Sequence, residues 1–227
     1  MNISLVSIIT LLVLLLGGCA QQPKIDKSIE TPIVEDSYKI YPQSFANEIE
    51  KEYGIFAKRR ALALVETMNE AKYLDDMGKM EKVNDFFNAF PYESDEKIWG
   101  ISDYWATRLE FIGKGKGDCE DYVIAKYFTL KELGVKTSKL FMTYVKSLRL
   151  KTSHVVLSYY ETEHSIPLIM DNYNYKILPA NVRTDLVPIY SFSGDDLFQA
   201  KQAQIGKMLP ASTRQTRAWD ELVIKRY

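Results

Sequence analysis

The sequence predicts an α+β fold in which N-terminal helices pack on an antiparallel sheet. Before Gly134 the apolar residues recur at helical spacing, and after it they alternate with polar residues at the period of a strand. A run of helices followed by a run of strands is typical of α+β domains rather than of alternating βαβ units. The chain has 227 residues, 46% of them hydrophobic, which suits one main domain. We place that domain at residues 43–227.

The charge balance argues against a nucleic-acid partner. Lysine and arginine total 29, aspartate and glutamate total 30, and the formal net charge is −1. Binding to phosphate backbones needs a basic excess that this chain lacks.

The first 18 residues are predicted to be a lipoprotein signal peptide. They are uncharged, and their apolar centre at residues 8–16 is too short for a spanning helix. The sequence Leu-Gly-Gly-Cys at residues 16–19 resembles a bacterial lipobox, in which the cysteine is acylated and becomes the mature N-terminus. We therefore predict lipidation at Cys19. The segment before the apolar run has no Lys or Arg, and cleavage as an ordinary signal peptide is the alternative.

Residues 19–42 are predicted to be a lipid-anchored tether. They are polar, contain Pro23, Pro32 and Pro42, and show no clear periodicity. Acyl chains would anchor the protein to a membrane without spanning it. Ala20, rather than Asp, follows Cys19, and under the sorting rule of bacterial lipoproteins this indicates the inner leaflet of the outer membrane, facing the periplasm.

Three helical regions are predicted before the sheet. Residues 44–76 carry apolar positions at helical spacing, with a break at Gly54, and residues 80–90 form a second pattern that Pro91 closes. The aromatic-rich segment 99–111 leads towards the third helix. Its three aromatic side chains suit either core packing or the wall of a cleft; they are Trp99, Tyr104 and Trp105.

The third helix begins at the most informative stretch of the chain. A glycine-rich approach, residues 113–117, runs into Asp118-Cys119-Glu120-Asp121. The apolar stripe that follows predicts an amphipathic helix, with Asp118 as N-cap and Gly134 as its stop. Cys119 then lies in the first turn, where the helix dipole favours a thiolate. The glycines would let the backbone bend and leave room above the sulfur. A buried structural cysteine is the alternative.

Three carboxylates near one sulfur predict a bound cation. Asp118, Glu120 and Asp121 would raise the pKa of the Cys119 thiol, against the need of a nucleophile. A hard cation would reverse that effect, and carboxylates with backbone carbonyls are the ligands that Ca²⁺ prefers. The alternative is a solvated acidic first turn that complements the helix dipole.

Four strands are predicted after Gly134, at residues 139–145, 154–160, 166–171 and 187–192. A hairpin centred between residues 162 and 163 places Val156 opposite Ile169. The same register places His154 opposite Asp171, close enough for the carboxylate to orient the imidazole. The other histidine, His164, lies in the predicted turn and is expected to be exposed.

This arrangement is typical of cysteine hydrolases, which place a nucleophile at a helix N-terminus, a base on a strand and an orienting acid on the next strand. If Cys19 carries lipid, Cys119 is the remaining thiol, because the chain has two cysteines. An unpaired cysteine in an oxidising compartment needs a reason, and catalysis is the commonest. Cys119, His154 and Asp171 are the predicted triad.

These residues resemble the bacterial transglutaminase-like cysteine proteinases of the LapG type. The resemblance rests on the segments Asp-Tyr-Trp-Ala-Thr at 103–107, Gly-Asp-Cys-Glu-Asp-Tyr at 117–122, Ala-Lys-Tyr-Phe at 125–128, Ser-His-Val-Val-Leu at 153–157 and Leu-Ile-Met-Asp-Asn at 168–172. It covers roughly residues 40–200. It implies a papain-like or transglutaminase-like core with Cys119, His154 and Asp171 as triad.

The resemblance further implies calcium ligation by Asp118 and Glu120, with Asp121 a weaker candidate. Members of the family are calcium-dependent periplasmic proteases that cut the N-terminal region of a large repeat-type surface adhesin and so promote biofilm dispersal. An inner-membrane cyclic-di-GMP receptor of the LapD type controls them by sequestration. The lipobox departs from the family, whose usual member is a soluble periplasmic protein.

Two other functions stay open at the level of sequence. The same fold and triad support transglutaminase or amidase chemistry through the same acyl-enzyme. A non-catalytic, lipid-anchored binding module is the third possibility, against which the intact triad argues.

Overall fold

The computed structural model describes residues 42–193 and 196–199. Residues 1–41 lie outside the described part of the chain. They comprise the predicted signal peptide and the predicted tether, including Cys19, except for its last residue, Pro42. The described part of the chain contains six α-helices followed by six strands. The helices are α1 (Pro42–Tyr53), α2 (Ile55–Ala71), α3 (Asp76–Asn88), α4 (Asp95–Trp99), α5 (Arg108–Lys114) and α6 (Cys119–Glu132). The strands are β1 (Leu140–Ser147), β2 (Thr152–Tyr159), β3 (Leu168–Met170), β4 (Leu178–Pro179), β5 (Leu186–Ser193) and β6 (Asp196–Gln199).

The strands form one antiparallel sheet in the order β4-β3-β2-β1-β5-β6. Helix α6 contacts α3, α5 and β2, so the helix of the cysteine lies between the other helices and the sheet. The predicted α+β class is confirmed. The predicted strands missed the short β4 and the edge strand β6, because two and four residues are too few for a periodic pattern.

The break at Gly54 and the stop at Gly134 are both confirmed. Gly54 has φ +82° and separates α1 from α2, whereas Gly134 has φ +86° and follows the last turn of α6. Both values lie in the left-handed region that glycine adopts without a Cβ penalty. Each glycine therefore ends a helix at the position where the sequence predicts an end.

The prediction of an amphipathic α6 is wrong. Every residue from Asp121 to Leu130 is buried, so this part of the helix is covered on all sides. A helix between a helical layer and a sheet has no solvent face, and its polar residues must find partners inside the protein. Lys126 and Thr129 are two such residues.

The glycine-rich approach is partly helical. Gly113 and Lys114 belong to α5, which ends at Gly115 with φ +69°. The Arg60 guanidinium caps this end, donating to the carbonyls of Ile112 at 2.7 Å and Gly113 at 2.6 Å. The approach to Cys119 is therefore a capped helix C-terminus followed by a short link.

Within the described ranges, no helix combines the length and the apolarity that a membrane crossing requires.

Candidate active site

Cys119 is the first residue of α6, and Asp118 is its N-cap residue, as predicted. Gly117 makes this entry possible, because a Cβ there would lie 2.7 Å from the Asp121 carboxylate and from the Phe111 ring. The missing side chain therefore leaves room for a carboxylate and an aromatic ring. The predicted role was to leave room above the sulfur. Tyr92 pairs with Gly117 in an isolated bridge that fixes the link from the other side.

The Cys119 sulfur lies between an acid and the edge of β2. Its Sγ donates to Glu120 Oε2 at 2.9 Å, and the backbone N–H of Val155 lies near enough to the sulfur to lower its pKa. Burial raises the pKa of the Cys119 thiol well above its usual range, and the Glu120 carboxylate raises it further, with the Val155 N–H opposing them. Without another charge, the sulfur is held as a thiol.

Val155 immediately follows His154, so the same short run of β2 carries the imidazole. His154 is 2% exposed, and its Nε2 lies 2.8 Å from Asp171 Oδ1. The Asp171 Oδ1 also accepts the backbone N–H of Tyr173 at 2.9 Å, and Oδ2 accepts from Arg183 Nη2 at 2.6 Å. Burial alone would raise the pKa of Asp171, but the hydrogen bonds from His154, Tyr173 and Arg183 lower it to about 2.

An ionised Asp171 fixes the tautomer of His154. A carboxylate only accepts, so the imidazole Nε2 must carry the proton that it donates. The Nδ1 atom is then the unprotonated nitrogen, free to accept a proton. The arrangement supplies a general base beside the strand edge that contacts Cys119.

The predicted hairpin register is wrong by two residues, although it brings the right side chains together. Ile169 pairs with Ser158 instead of Val156, because the connection between β2 and β3 is centred between residues 163 and 164, one residue later than predicted. A shift of two residues keeps every side chain on its predicted face, whereas a shift of one would have reversed them. His154 and Asp171 therefore still meet. His164 is exposed in this connection, as expected.

A cluster of acids lies on the other side of the cysteine. One carboxylate oxygen from each of Asp95, Asp118 and Glu120 lies within 4.8 Å of the others. Among the described residues, Asp95 Oδ1 and Asp118 Oδ1 are buried without a hydrogen-bond partner. Burial raises the pKa of Asp118 to about 10, with the neighbouring Glu120, Asp121 and Asp95 adding to the effect. Two buried, unpaired oxygens facing a third carboxylate are a donor set that suits a hard cation.

Asp121, the third predicted ligand, is engaged elsewhere. It is 1% exposed, and its Oδ1 accepts from the Ala106 N–H at 2.8 Å while its Oδ2 accepts from the Asp118 N–H at 3.3 Å. The structure brings Asp95 into the cluster in its place. Asp95 lies at the start of α4, and the sequence gives no signal that separates it from an acid complementing a helix dipole.

Two tyrosines that sequence reasoning missed border the histidine. The Tyr173 ring packs edge-on against His154 with centroids 5.3 Å apart, and Tyr92 lies 5.6 Å from Tyr173. Both remain partly exposed, at 38% and 48%. They form an aromatic wall next to the candidate catalytic residues. Trp105 is instead a core residue, stacked on Phe192.

Comparison with known protein families shows which family of cysteine hydrolases the chain resembles. Residues 56–186 match the model of the bacterial transglutaminase-like cysteine proteinases. The chain belongs to this family. No curated protein is similar enough to add to that match.

Solved structures give the same answer as the family model. LapG of Legionella pneumophila is 39% identical with a TM-score of 0.70, and the match covers 83% of this chain and 98% of LapG. An EGTA-treated form matches to the same extent, and a calcium-bound form is covered over 100% of its length. The transglutaminase-like fold implied by the sequence is thereby confirmed, and the family is one of cysteine proteinases.

Proposed function

We propose that this member of the family is a calcium-dependent cysteine endopeptidase with Cys119, His154 and Asp171 as its catalytic triad. The observation that carries the proposal is the buried His154–Asp171 hydrogen bond on the strand whose next residue, Val155, lies beside the Cys119 sulfur. Few structural roles require a histidine, an ionised carboxylate and a helix-N-terminal thiol together.

In the proposed mechanism, Cys119 Sγ attacks the scissile carbonyl and its proton passes to His154 Nδ1. The backbone N–H of Cys119 is one of the helix N–H groups that lack an intrahelical acceptor, and it would stabilise the oxyanion. The imidazolium then protonates the leaving amine, which gives a thioester. Water hydrolyses the thioester with His154 again acting as base, while Asp171 keeps the imidazole in one tautomer.

We assign calcium to Asp95, Asp118 and Glu120, since their oxygens converge and two of them lack partners. Asp121 would support the site through its two backbone hydrogen bonds rather than as a ligand. Bound calcium would offset the negative charge beside the thiol. Glu120 has a second importance, because it accepts the Cys119 S–H and so opposes ionisation of the sulfur as long as its charge is free.

The substrate, partners and location are proposed from the resemblance of the sequence to the LapG type. The enzyme would cleave the N-terminal region of a large repeat-type surface adhesin and so promote biofilm dispersal. A cyclic-di-GMP receptor of the LapD type in the inner membrane would control it. Lipid on Cys19 would hold it in the periplasm at the inner leaflet of the outer membrane, close to an adhesin retained in that membrane.

The test is cleavage of a purified N-terminal region of such an adhesin from the same bacterium, in the presence of calcium. We expect a new N-terminus, found by mass spectrometry, with the wild-type chain and none with Cys119→Ala. The matched control is Cys19→Ser, which alters the chain's other cysteine and should leave cleavage intact. Full cleavage by Cys119→Ala would refute the proposal, and amine incorporation without chain cleavage would point to a transglutaminase.

A further inference from the structure

Lys126 is a fully buried lysine that the proposed mechanism does not use. It lies two turns along α6 from Cys119 and is 1% exposed. Its Nζ donates to Asn84 Oδ1 at 2.9 Å and to Asn88 Oδ1 at 2.7 Å, both on α3 and both buried. Burial lowers the pKa of Lys126 to about 7, with Asp171 and Asp85 opposing that shift.

The lysine determines how both asparagine amides are oriented. Because its nitrogen lies within hydrogen-bonding distance as a donor, each amide must present its oxygen to Nζ and its NH₂ group to the opposite side. Asn88 Nδ2 then donates to the backbone carbonyl of Asp171 at 3.0 Å, and Asn84 Nδ2 donates to the carbonyl of Tyr175 at 2.8 Å. Both carbonyls belong to the segment that leaves β3.

This segment, residues 171–175, carries two groups that contact His154. Asp171 binds the imidazole nitrogen and Tyr173 packs against the ring. The strand that precedes it, β3, has three residues, so the sheet alone gives the segment little support. Hydrogen bonds from α3 to its two ends supply that support.

Stability alone does not account for a lysine at this position. A buried ammonium loses its hydration, and replacing such a group together with its polar partners by apolar side chains of similar volume is often neutral or stabilising. What an apolar residue lacks is the ability to hold two amides in one orientation.

We propose that Lys126 and Asn88 are positioning residues for catalysis, which hold the Asp171 backbone, through the Asn88 amide, at the place where its carboxylate meets His154. The inference rests on the proposed role of Asp171. Asn84 is not assigned this role, because it binds the carbonyl of Tyr175, four residues after Asp171.

The test compares Asn88→Asp with Asn84→Asp in the full chain with calcium present. Each change keeps size and the oxygen that faces Lys126, but replaces an N–H donor by an oxygen that repels one carbonyl. Asn88→Asp repels Asp171, whereas the matched control Asn84→Asp repels Tyr175. We expect alkylation of Cys119 by iodoacetamide to slow by about 10- to 100-fold in Asn88→Asp, as misplacement of a catalytic group does, and to change little in Asn84→Asp.

A spectroscopic readout separates positioning from general destabilisation. The chain has two histidines, so the imidazole N–H proton of His154 can be assigned in ¹⁵N-histidine-labelled protein with His164→Gln as reference. Its hydrogen bond to Asp171 should shift this proton downfield in the wild type. The shift should be lost or reduced in Asn88→Asp and kept in Asn84→Asp. Equal loss in both variants, or retention in both, would overturn the proposal.

Lys126→Met is the second variant and decides the matter if either aspartate variant does not fold. The change leaves two buried amide oxygens without their donor, so we expect a lower melting temperature, and in the folded variant the His154 signal and the alkylation rate should fall. An unchanged signal in folded Lys126→Met would overturn the proposal. Cys119→Ala in the adhesin assay tests the proposed function separately, so an inactive Cys119→Ala beside a normal Asn88→Asp would reject the positioning role alone.

Discussion

Two carboxylates near the cysteine have opposite environments. Asp171 has both oxygens hydrogen-bonded, to His154 and the Tyr173 N–H on one side and to Arg183 on the other, and its pKa is about 2. Asp118 has a buried oxygen without a partner among the described residues, and its pKa is raised to about 10. The polypeptide alone therefore completes the Asp171 side, whereas the Asp118 side needs a positive charge from outside.

The contrast explains why a cation would control such an enzyme. The His154–Asp171 pair is fully hydrogen-bonded, and the Asp171 carboxylate that orients the imidazole stays ionised near neutral pH. The proposed nucleophile, Cys119, is instead bonded to Glu120 and lies beside acids that disfavour its thiolate. Regulation by calcium would thus act on the sulfur and leave the base unchanged.

The largest effect is expected from removing the cation. Excess EGTA should abolish cleavage and iodoacetamide labelling of Cys119, because the unpaired acids then oppose ionisation of the thiol. Calcium should restore activity better than magnesium, whose smaller octahedral shell fits an irregular acidic cluster poorly. Full activity in excess EGTA would mean that the Asp118 side needs no cation, just as the Asp171 side needs none.

A change on the completed side should be severe and insensitive to calcium. Asp171→Asn leaves three donors, from His154, Tyr173 and Arg183, facing an amide that has one acceptor oxygen. The amide must turn its NH₂ group towards a donor, so either the imidazole or Arg183 loses its partner. We expect kcat to fall by at least about 100-fold. The loss should stay below the roughly 10⁴-fold that follows a wrong imidazole tautomer.

Added calcium should not restore Asp171→Asn, and Asp185→Asn is its control. Asp185 also binds Arg183 but is more exposed and does not touch His154. It should keep most of the activity. Rescue of Asp171→Asn by calcium would show that the two sides are not independent.

Asp95→Asn tests whether the acid that the sequence did not reveal belongs to the cation site. Removing one charge from the cluster should raise the Kd for calcium, measured by titration calorimetry, by about 10- to 100-fold, the range seen when a supporting group of a metal site is lost. Asp103→Asn makes the same charge change on an exposed acid eight residues away in sequence. If both variants bind calcium alike, Asp95 is not a ligand.

What the sequence could and could not predict follows from the range of each interaction. The N-cap at Asp118, the stops at Gly54 and Gly134 and the contact of His154 with Asp171 depend on neighbouring residues or on a two-residue period. The sequence could not predict Asp95 or Arg183, because each reaches the site from a separate element through a tertiary contact. Nor could it predict that α6 is buried all round, which depends on helices and strands packed on every side.

The same reasoning explains why a wrong register gave a correct pair. The connection between β2 and β3 is centred one residue later than predicted, which shifts the pairing by two residues, and strand alternation keeps a two-residue shift on the same face. Asp171 lies just beyond the last residue of β3, and its position is set by Asn88 and Arg183 rather than by strand pairing. Contacts of that kind have no periodic signal in the sequence.

The smallest effect, and the one that compares the two carboxylates most directly, is the pH dependence of stability. Asp118 has a folded-state pKa of about 10, far above the value of about 4 in an unfolded chain. Between these values the folded state binds more protons than the unfolded state, so without calcium its stability should fall as the pH rises. Asp171 has the opposite sign, with a folded-state pKa of about 2. Its contribution is present above about pH 4 and is lost only as the pH falls towards about 2.

Melting temperatures in EGTA should therefore decline from about pH 5 to about pH 9, and Asp118→Asn should remove much of the decline. Calcium, which binds the deprotonated acids, should raise the melting temperature more at the higher pH. An identical decline in Asp118→Asn and wild type would place the titrating group elsewhere and leave the unpaired oxygen of Asp118 without the energetic consequence derived from it.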